Sequence, residues 1–123
     1  KEVMAAGESI ETELSLRQAL PKMPMVAALS AGHLAALLFP AHLRRLYIVR
    51  DNDPAGDGAR DSLVARAHEV GIEAITLSPI MGDFNDDLVT RGLDALRAHI
   101  RVQLAPEDIS RFLTQDHLTR RAK

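Results

Sequence analysis

The chain has 123 residues, which suits a single domain, and its formal net charge of −2 excludes binding of nucleic acid through a generally basic surface. It has no cysteine, which excludes disulfides, thiolate metal sites and zinc ribbons. No apolar run approaches the ~20 residues of a membrane span, so we predict a cytoplasmic protein without a membrane partner. The chain starts at Lys1 rather than at an initiator methionine, and we therefore expect a piece of a longer protein.

Strand and helix patterns alternate along the chain. Continuous apolar runs are typical of parallel strands that are buried on both faces, and three such runs occur, at residues 3–6, 25–29 and 46–49. Residues 72–77, IEAITL, are predicted to form a fourth strand. Apolar residues at helical spacing lie between and after these runs. The predicted helices extend from the N-cap Ser9 to Pro21, from Gly32 to Pro40, from the N-cap Asp53 to Gly71, and from Leu88 to Leu104.

This alternation predicts an α/β fold. Strands that alternate with helices across short loops form a parallel sheet, here four-stranded, with helices flanking it and right-handed crossovers between strands. Pro106 then interrupts the last helical pattern. We therefore predict a main domain over residues 1–105 and a C-terminal helical tail over residues 106–123.

Acidic side chains follow three of the four predicted strands. Glu8 follows the first strand, Asp51 and Asp53 follow the third, and Asp83 follows the fourth after a short loop. Because parallel strands bind ligands beyond their carboxyl ends, these carboxylates are expected to share one edge of the sheet. Like charges repel at such a place unless a divalent cation lies between them. The pattern therefore predicts a Mg²⁺ site that acts on a phosphodiester or a nucleoside triphosphate.

Each acid also has a simpler interpretation. Asp51 and Asp53 suit a turn and a helix N-cap, and Asp83 suits the cap of the next helix. Glu8 suits a solvated loop. Taken singly, each acid fits the simpler interpretation better, and only their common edge favours a metal site.

Three segments resemble the motifs of Toprim domains, in the form seen in primase-like proteins of plasmids, phages and integrative elements. Residues 7–15, GESIETELS, resemble the Glu-Gly motif, and residues 46–56, LYIVRDNDPAG, resemble the strand that precedes an Asp-x-Asp motif and a helix. Residues 82–88, GDFNDDL, resemble the third acidic motif of the primase branch. The resemblance covers roughly residues 3–104 and implies the Toprim fold, a Rossmann-like parallel sheet with flanking helices.

The resemblance also implies roles for the acids. Glu8 corresponds to the general acid/base of nucleotidyl transfer and joins the metal site, Asp51 and Asp53 correspond to the Mg²⁺ ligands, and Asp83 assists with metal. Mn²⁺ is an alternative cofactor. The implied partners are DNA, nucleoside triphosphates and the further primase or helicase domains of a larger protein. Contact with substrate is expected at Arg50, which could instead pair with a neighbouring carboxylate, and at Asn85.

Other functions remain open at this stage. A Toprim nuclease would use the same chemistry. A non-catalytic binding module is suggested by Ser9, which stands where the family usually has Gly, and by the weak basicity of the chain. Glu13 stands where related chains tend to be apolar, and it could simply face solvent. A topoisomerase needs a nucleophilic tyrosine, and Tyr47 lies inside a predicted strand. A phospho-acceptor receiver needs a lysine beyond a later strand, yet none occurs between Lys22 and Lys123.

Overall fold

The computed structural model describes residues 2–114. The strands are β1 (Val3–Gly7), β2 (Met25–Ala27), β3 (Arg45–Val49) and β4 (Glu73–Leu77). The helices are α1 (Ile10–Ala19), α2 (Ala31–Ala35), α3 (Pro54–Glu69), α4 (Phe84–Arg91), α5 (Leu93–Arg101) and α6 (Pro106–Asp108), which continues as a π-helix over Ile109–Thr114. Within this part of the chain, no helix is both long and apolar enough to span a bilayer.

The four strands form one parallel sheet in the order β2-β1-β3-β4. From β1 the chain continues to β2 at one edge of the sheet. It then crosses β1 to reach β3 on the other side of β1, and β4 follows at the opposite edge. Crossovers of one hand therefore place α1 on one face of the sheet and α2 and α3 on the other. The predicted fold class, a four-stranded parallel sheet flanked by helices, is confirmed.

Side chains of β1 and β3 alternate between two apolar cores, as the pleat of a strand requires. On one face, Val3, Ala5, Tyr47 and Val49 pack with Leu16 of α1, Phe84 of α4, Leu96 of α5 and Phe112 of the π-helix. On the other face, Met4, Ala6, Leu46 and Ile48 pack with Leu34 of α2 and with Ala59 and Leu63 of α3. The sheet is thus covered on both sides, which explains the continuous apolar runs at β1, β2 and β3.

Several predicted boundaries are wrong. β2 ends at Ala27 rather than at residue 29, because Leu29 adopts a φ of 77°, outside the strand region. α2 ends at Ala35, short of the predicted stop at Pro40. The helix predicted from Leu88 to Leu104 is two helices, since Gly92 has a φ of 87° and ends α4 before α5 begins.

A buried polar network joins β3 to the segment after Pro106. Asp108 is fully buried, and its Oδ2 accepts hydrogen bonds from Arg45 Nη1 at 2.9 Å and from the Tyr47 hydroxyl at 2.5 Å. The same hydroxyl accepts the backbone N–H of Ala105 at 2.9 Å. The described part of the predicted tail is therefore helical and packs against the sheet. Residues 115–123 of that tail lie outside the described residues.

Tyr47→Phe should lower the free energy of unfolding by about 2 kcal/mol, because it removes a donor from buried Asp108 and the acceptor of the Ala105 N–H. Urea denaturation of both proteins measures this difference. Tyr47 is 0% exposed and held by Asp108, so the variant should bind divalent cations as the unmodified protein does. Equal stability of the two proteins would show that the network contributes nothing.

Candidate metal site

The acids that follow β1 and β3 converge at the place where the sheet changes winding direction. β1 and β3 are neighbours, with Gly7 opposite Val49 at their carboxyl ends. Because the chain leaves these strands toward opposite faces of the sheet, a crevice opens between the two loops, which is where open parallel sheets bind ligands. Glu8 lies on one side of this crevice, and Asp51 and Asp53 lie on the other.

Glu8, Asp51 and Asp53 are close enough to hold one cation between them. Each offers a carboxylate oxygen, and these three oxygens lie within 4.8 Å of one another. All three residues are half-buried, so they reach solvent but are partly shielded from it. Carboxylate oxygens are hard donors that suit a divalent cation such as Mg²⁺, whose remaining positions take water or phosphate oxygen. This donor set therefore fits the divalent metal that the sequence pattern predicted.

The electrostatics of Asp51 support this fit. Burial and, after it, the charges of Asp83, Glu8 and Asp53 together raise its pKa to about 6, against a lowering hydrogen bond from Thr12. The carboxylates thus oppose ionisation of one another, and a bound cation would remove that repulsion. Asp83 exerts the largest of the three charge effects, although it is not part of the 4.8 Å group.

Two of the acids also serve as helix caps, so the simpler interpretation of Asp53 and Asp83 holds as well. Asp53 Oδ1 accepts the Gly56 N–H at 2.6 Å at the start of α3, and Asp83 Oδ1 accepts the Asp86 N–H at 2.8 Å at the start of α4. A carboxylate has two oxygens, and each of these caps uses one. Capping and cation binding are therefore compatible, and capping fixes the carboxylate near the crevice.

The two residues for which substrate contact is predicted have partners within the chain. Arg50 binds Asp57 through Nε at 2.7 Å and Nη2 at 3.2 Å, an arrangement that uses both carboxylate oxygens. Asn85 Oδ1 accepts the Ser15 hydroxyl at 3.0 Å, which ties α4 to α1. Of the two roles weighed for Arg50, the structure shows the pairing with a carboxylate. Substrate contact by Arg50 or Asn85 stays a prediction.

Ser9 fits the loop without requiring the glycine that usually stands there. Its backbone is extended, with φ −113° and ψ 149°, which any residue can adopt. Its hydroxyl accepts the Thr12 N–H at 3.2 Å and donates to Thr12 Oγ1 at 2.9 Å. Thr12 Oγ1 in turn donates to Asp51 Oδ1 at 3.4 Å. Ser9 therefore caps α1 and orients a threonine that contacts the site.

Sequence reasoning missed Thr12 and the placement of Glu13. Thr12 is 2% exposed, and only the fold brings it to Asp51, 39 positions along the chain. Glu13 is 6% exposed, and both of its carboxylate oxygens are buried without a hydrogen-bond partner. Its Oε1 lies 2.2 Å from the position that a Cβ at residue 7 would take, so any residue larger than Gly7 would displace the Glu13 carboxylate. The only feature of the sequence that pointed to this placement is an acid at position 13, where related chains tend to be apolar.

Two comparisons with known proteins support the fold. A family model for the Toprim domain matches residues 3–94. Among solved structures, the chain is similar to the Aquifex aeolicus primase, in a crystal structure of its zinc-binding and RNA polymerase domains, with a TM-score of 0.60 and 22% sequence identity. The similar region covers 83% of this chain and 26% of that chain. Comparison with curated proteins found no match.

Proposed function

The chain belongs to the Toprim domain family, and from this premise we propose that it is the catalytic domain of a larger DNA primase-like protein, with Mg²⁺-dependent nucleotidyl transfer as its reaction. One observation carries the proposal: Glu8, Asp51 and Asp53 offer carboxylate oxygens within 4.8 Å of one another at the switch point of the sheet. The likeness to a primase structure supports the choice of reaction, and the 26% share of that chain supports a larger parent protein.

In this proposal the acids have distinct tasks. Asp51 and Asp53 hold the cation, Mg²⁺ or alternatively Mn²⁺, and Asp83 adds negative charge beside Asp51. A divalent cation bound there would supply the positive charge that positions a triphosphate and stabilises the transferring phosphoryl group. Glu8, whose carboxylate lies within 4.8 Å of those of Asp51 and Asp53, would accept or donate the proton that the reacting hydroxyl exchanges.

The proposed partners are a DNA template, nucleoside triphosphates and the other domains of the parent protein. A net charge of −2 leaves the chain itself with little general attraction for a polyanion. Template contact would therefore come chiefly from those other domains, with the cation bridging the triphosphate to this one.

Primer synthesis by the parent protein tests the function. With a single-stranded DNA template, labelled ribonucleoside triphosphates and Mg²⁺, we expect labelled primers. Glu8→Gln should reduce the yield about 100-fold, the usual contribution of a general acid or base. Glu11→Gln, an exposed acid on the first turn of α1, is the matched control and should keep full activity.

The outcome of this assay separates the alternatives. Cleavage of the template in place of primer synthesis would identify a Toprim nuclease. Saturable metal binding without either product, in the parent protein with all its domains, would identify a binding module. Both results contradict the proposed reaction, and only the second leaves the domain without catalysis.

A further inference from the structure

A pair of hydrogen bonds joins the Asp51–Asp53 loop to the loop between β4 and α4. Asn52 stands between the two aspartates, and its backbone N–H donates to the Gly82 carbonyl at 2.8 Å. Its side-chain amide donates to the Met81 carbonyl. We call this pair of hydrogen bonds the Asn52 latch. It connects two loops that lie 30 positions apart in the chain and leave neighbouring strands.

Both sides of the latch are held by charged groups. Asp87 is 1% exposed, and its two oxygens accept the N–H groups of Ile80 and Met81 at 2.8 Å each, which fixes the loop from α4. On the other side, Asn52 Oδ1 accepts a hydrogen bond from Arg50. A guanidinium only donates and a carbonyl only accepts, so these two partners determine which way the Asn52 amide points.

The latched loop leads directly into Asp83. Gly82 precedes Asp83, and Asp83 caps α4 through Oδ1. Because the Gly82 carbonyl accepts the N–H of the residue between Asp51 and Asp53, Asp83 lies beside the site, although it is outside the group of three closest oxygens. Its charge effect on the pKa of Asp51 agrees with that position. The position of the β4–α4 loop therefore sets how close the fourth carboxylate stands to the other three.

We propose that Asn52 is a positioning residue that holds Asp83 beside the Glu8, Asp51 and Asp53 carboxylates through Met81 and Gly82, so that all four acids contribute to cation binding. The proposal rests on the metal site of the proposed function and adds to it the way the fourth acid is placed. In this proposal Arg50, which pairs with Asp57, orients the Asn52 amide.

A double-mutant cycle on Mn²⁺ affinity tests the proposal on the 123-residue protein by calorimetric titration. Asn52→Ala keeps the backbone bond to Gly82 and removes the side-chain contacts to Met81 and Arg50. We expect it to weaken binding about 10-fold, the lower range for groups that orient metal ligands. Asp83→Asn should weaken binding by at least as much. The double variant should bind no more weakly than Asp83→Asn, because Asn52 acts through Asp83.

Asp87→Asn is an independent second variant, because it weakens the hydrogen bonds that hold the same loop to α4. Alone it should lower Mn²⁺ affinity, and combined with Asp83→Asn it should cause no further loss. The exposed Asp61 of α3 gives the control, Asp61→Asn, with unchanged affinity. Unchanged affinity in Asn52→Ala, or an equal loss with and without Asp83, would overturn the positioning role while the metal site stands. Absence of Mn²⁺ binding by the unmodified protein would overturn the site and this inference together.

Discussion

Joint replacement of Asp51 and Asp53 by Asn should abolish saturable binding of Mg²⁺ and Mn²⁺, with a loss of at least about 1,000-fold in affinity. Each substitution removes a unit charge from the group of three oxygens, and a charge ~4 Å from a cation contributes several kcal/mol near a protein surface. We expect that Glu8 and Asp83, the two acids that remain, do not hold a hydrated divalent cation at millimolar concentration. Calorimetric titration of the 123-residue protein measures the loss.

A gain in stability should accompany this loss of binding. Burial and neighbouring charges raise the pKa of Asp51 to about 6, so its ionised form strains the metal-free protein at neutral pH. Removing the charge should therefore leave the free energy of unfolding equal or higher. Asp61→Asn should change neither binding nor stability. Metal affinity retained in the double variant would refute the site, whereas a loss of stability would show that these acids hold the fold.

The second large effect is a fall in stability as the pH rises, caused by Glu13. Burial raises the pKa of this carboxyl from 4.5 to about 8; Arg17 lowers it and Asp51 raises it. The folded protein therefore keeps a proton that the unfolded chain releases above pH 4.5. The stabilisation is complete below pH 4.5 and is lost progressively up to pH 8. The difference is about 5 kcal/mol, a large share of the stability of a small domain.

Urea denaturation between pH 4 and pH 9 measures this effect in the metal-free protein. Glu13→Gln, which keeps the shape and removes the ionisation, should flatten the decline above pH 6. Between pH 4 and pH 6 the decline should be reduced but not abolished, because the raised pKa of Asp51 also produces a decline there. Glu11→Gln, on the exposed side of the same helix, should retain the full decline. An unaltered slope above pH 6 in Glu13→Gln would mean that the carboxyl reaches solvent or a cation in the folded protein.

The alternation of strand and helix patterns predicted the parallel sheet correctly. Continuous apolar runs indicated β1, β2 and β3 because both faces of the sheet are covered, and helical spacing indicated the crossovers. Given that alternation, acids that directly follow strands must lie at one edge, so Glu8, Asp51 and Asp53 could be grouped before their contacts were known. Their ligand role stays a prediction until metal is measured.

Helix ends were less predictable, because local conformation decided them. Gly92 divides one apolar stripe into α4 and α5 through a positive φ that periodicity does not encode, and Leu29 ends β2 in the same way. The spacing of apolar residues indicates which face of a helix is buried. The same spacing continues from α4 to α5 across Gly92 because both helices pack on the same core.

The amino-acid sequence by itself therefore determined two local properties: which segments are buried and which acids follow strands. The tertiary structure alone decided which distant groups meet. Thr12 contacts Asp51 across 39 positions, Asn52 contacts Met81 across 29, and Tyr47 contacts Asp108 across 61. No periodicity relates such pairs, because their distance depends on how helices pack against the sheet. The same packing buries the Glu13 carboxylate, whose two oxygens have no hydrogen-bond partner.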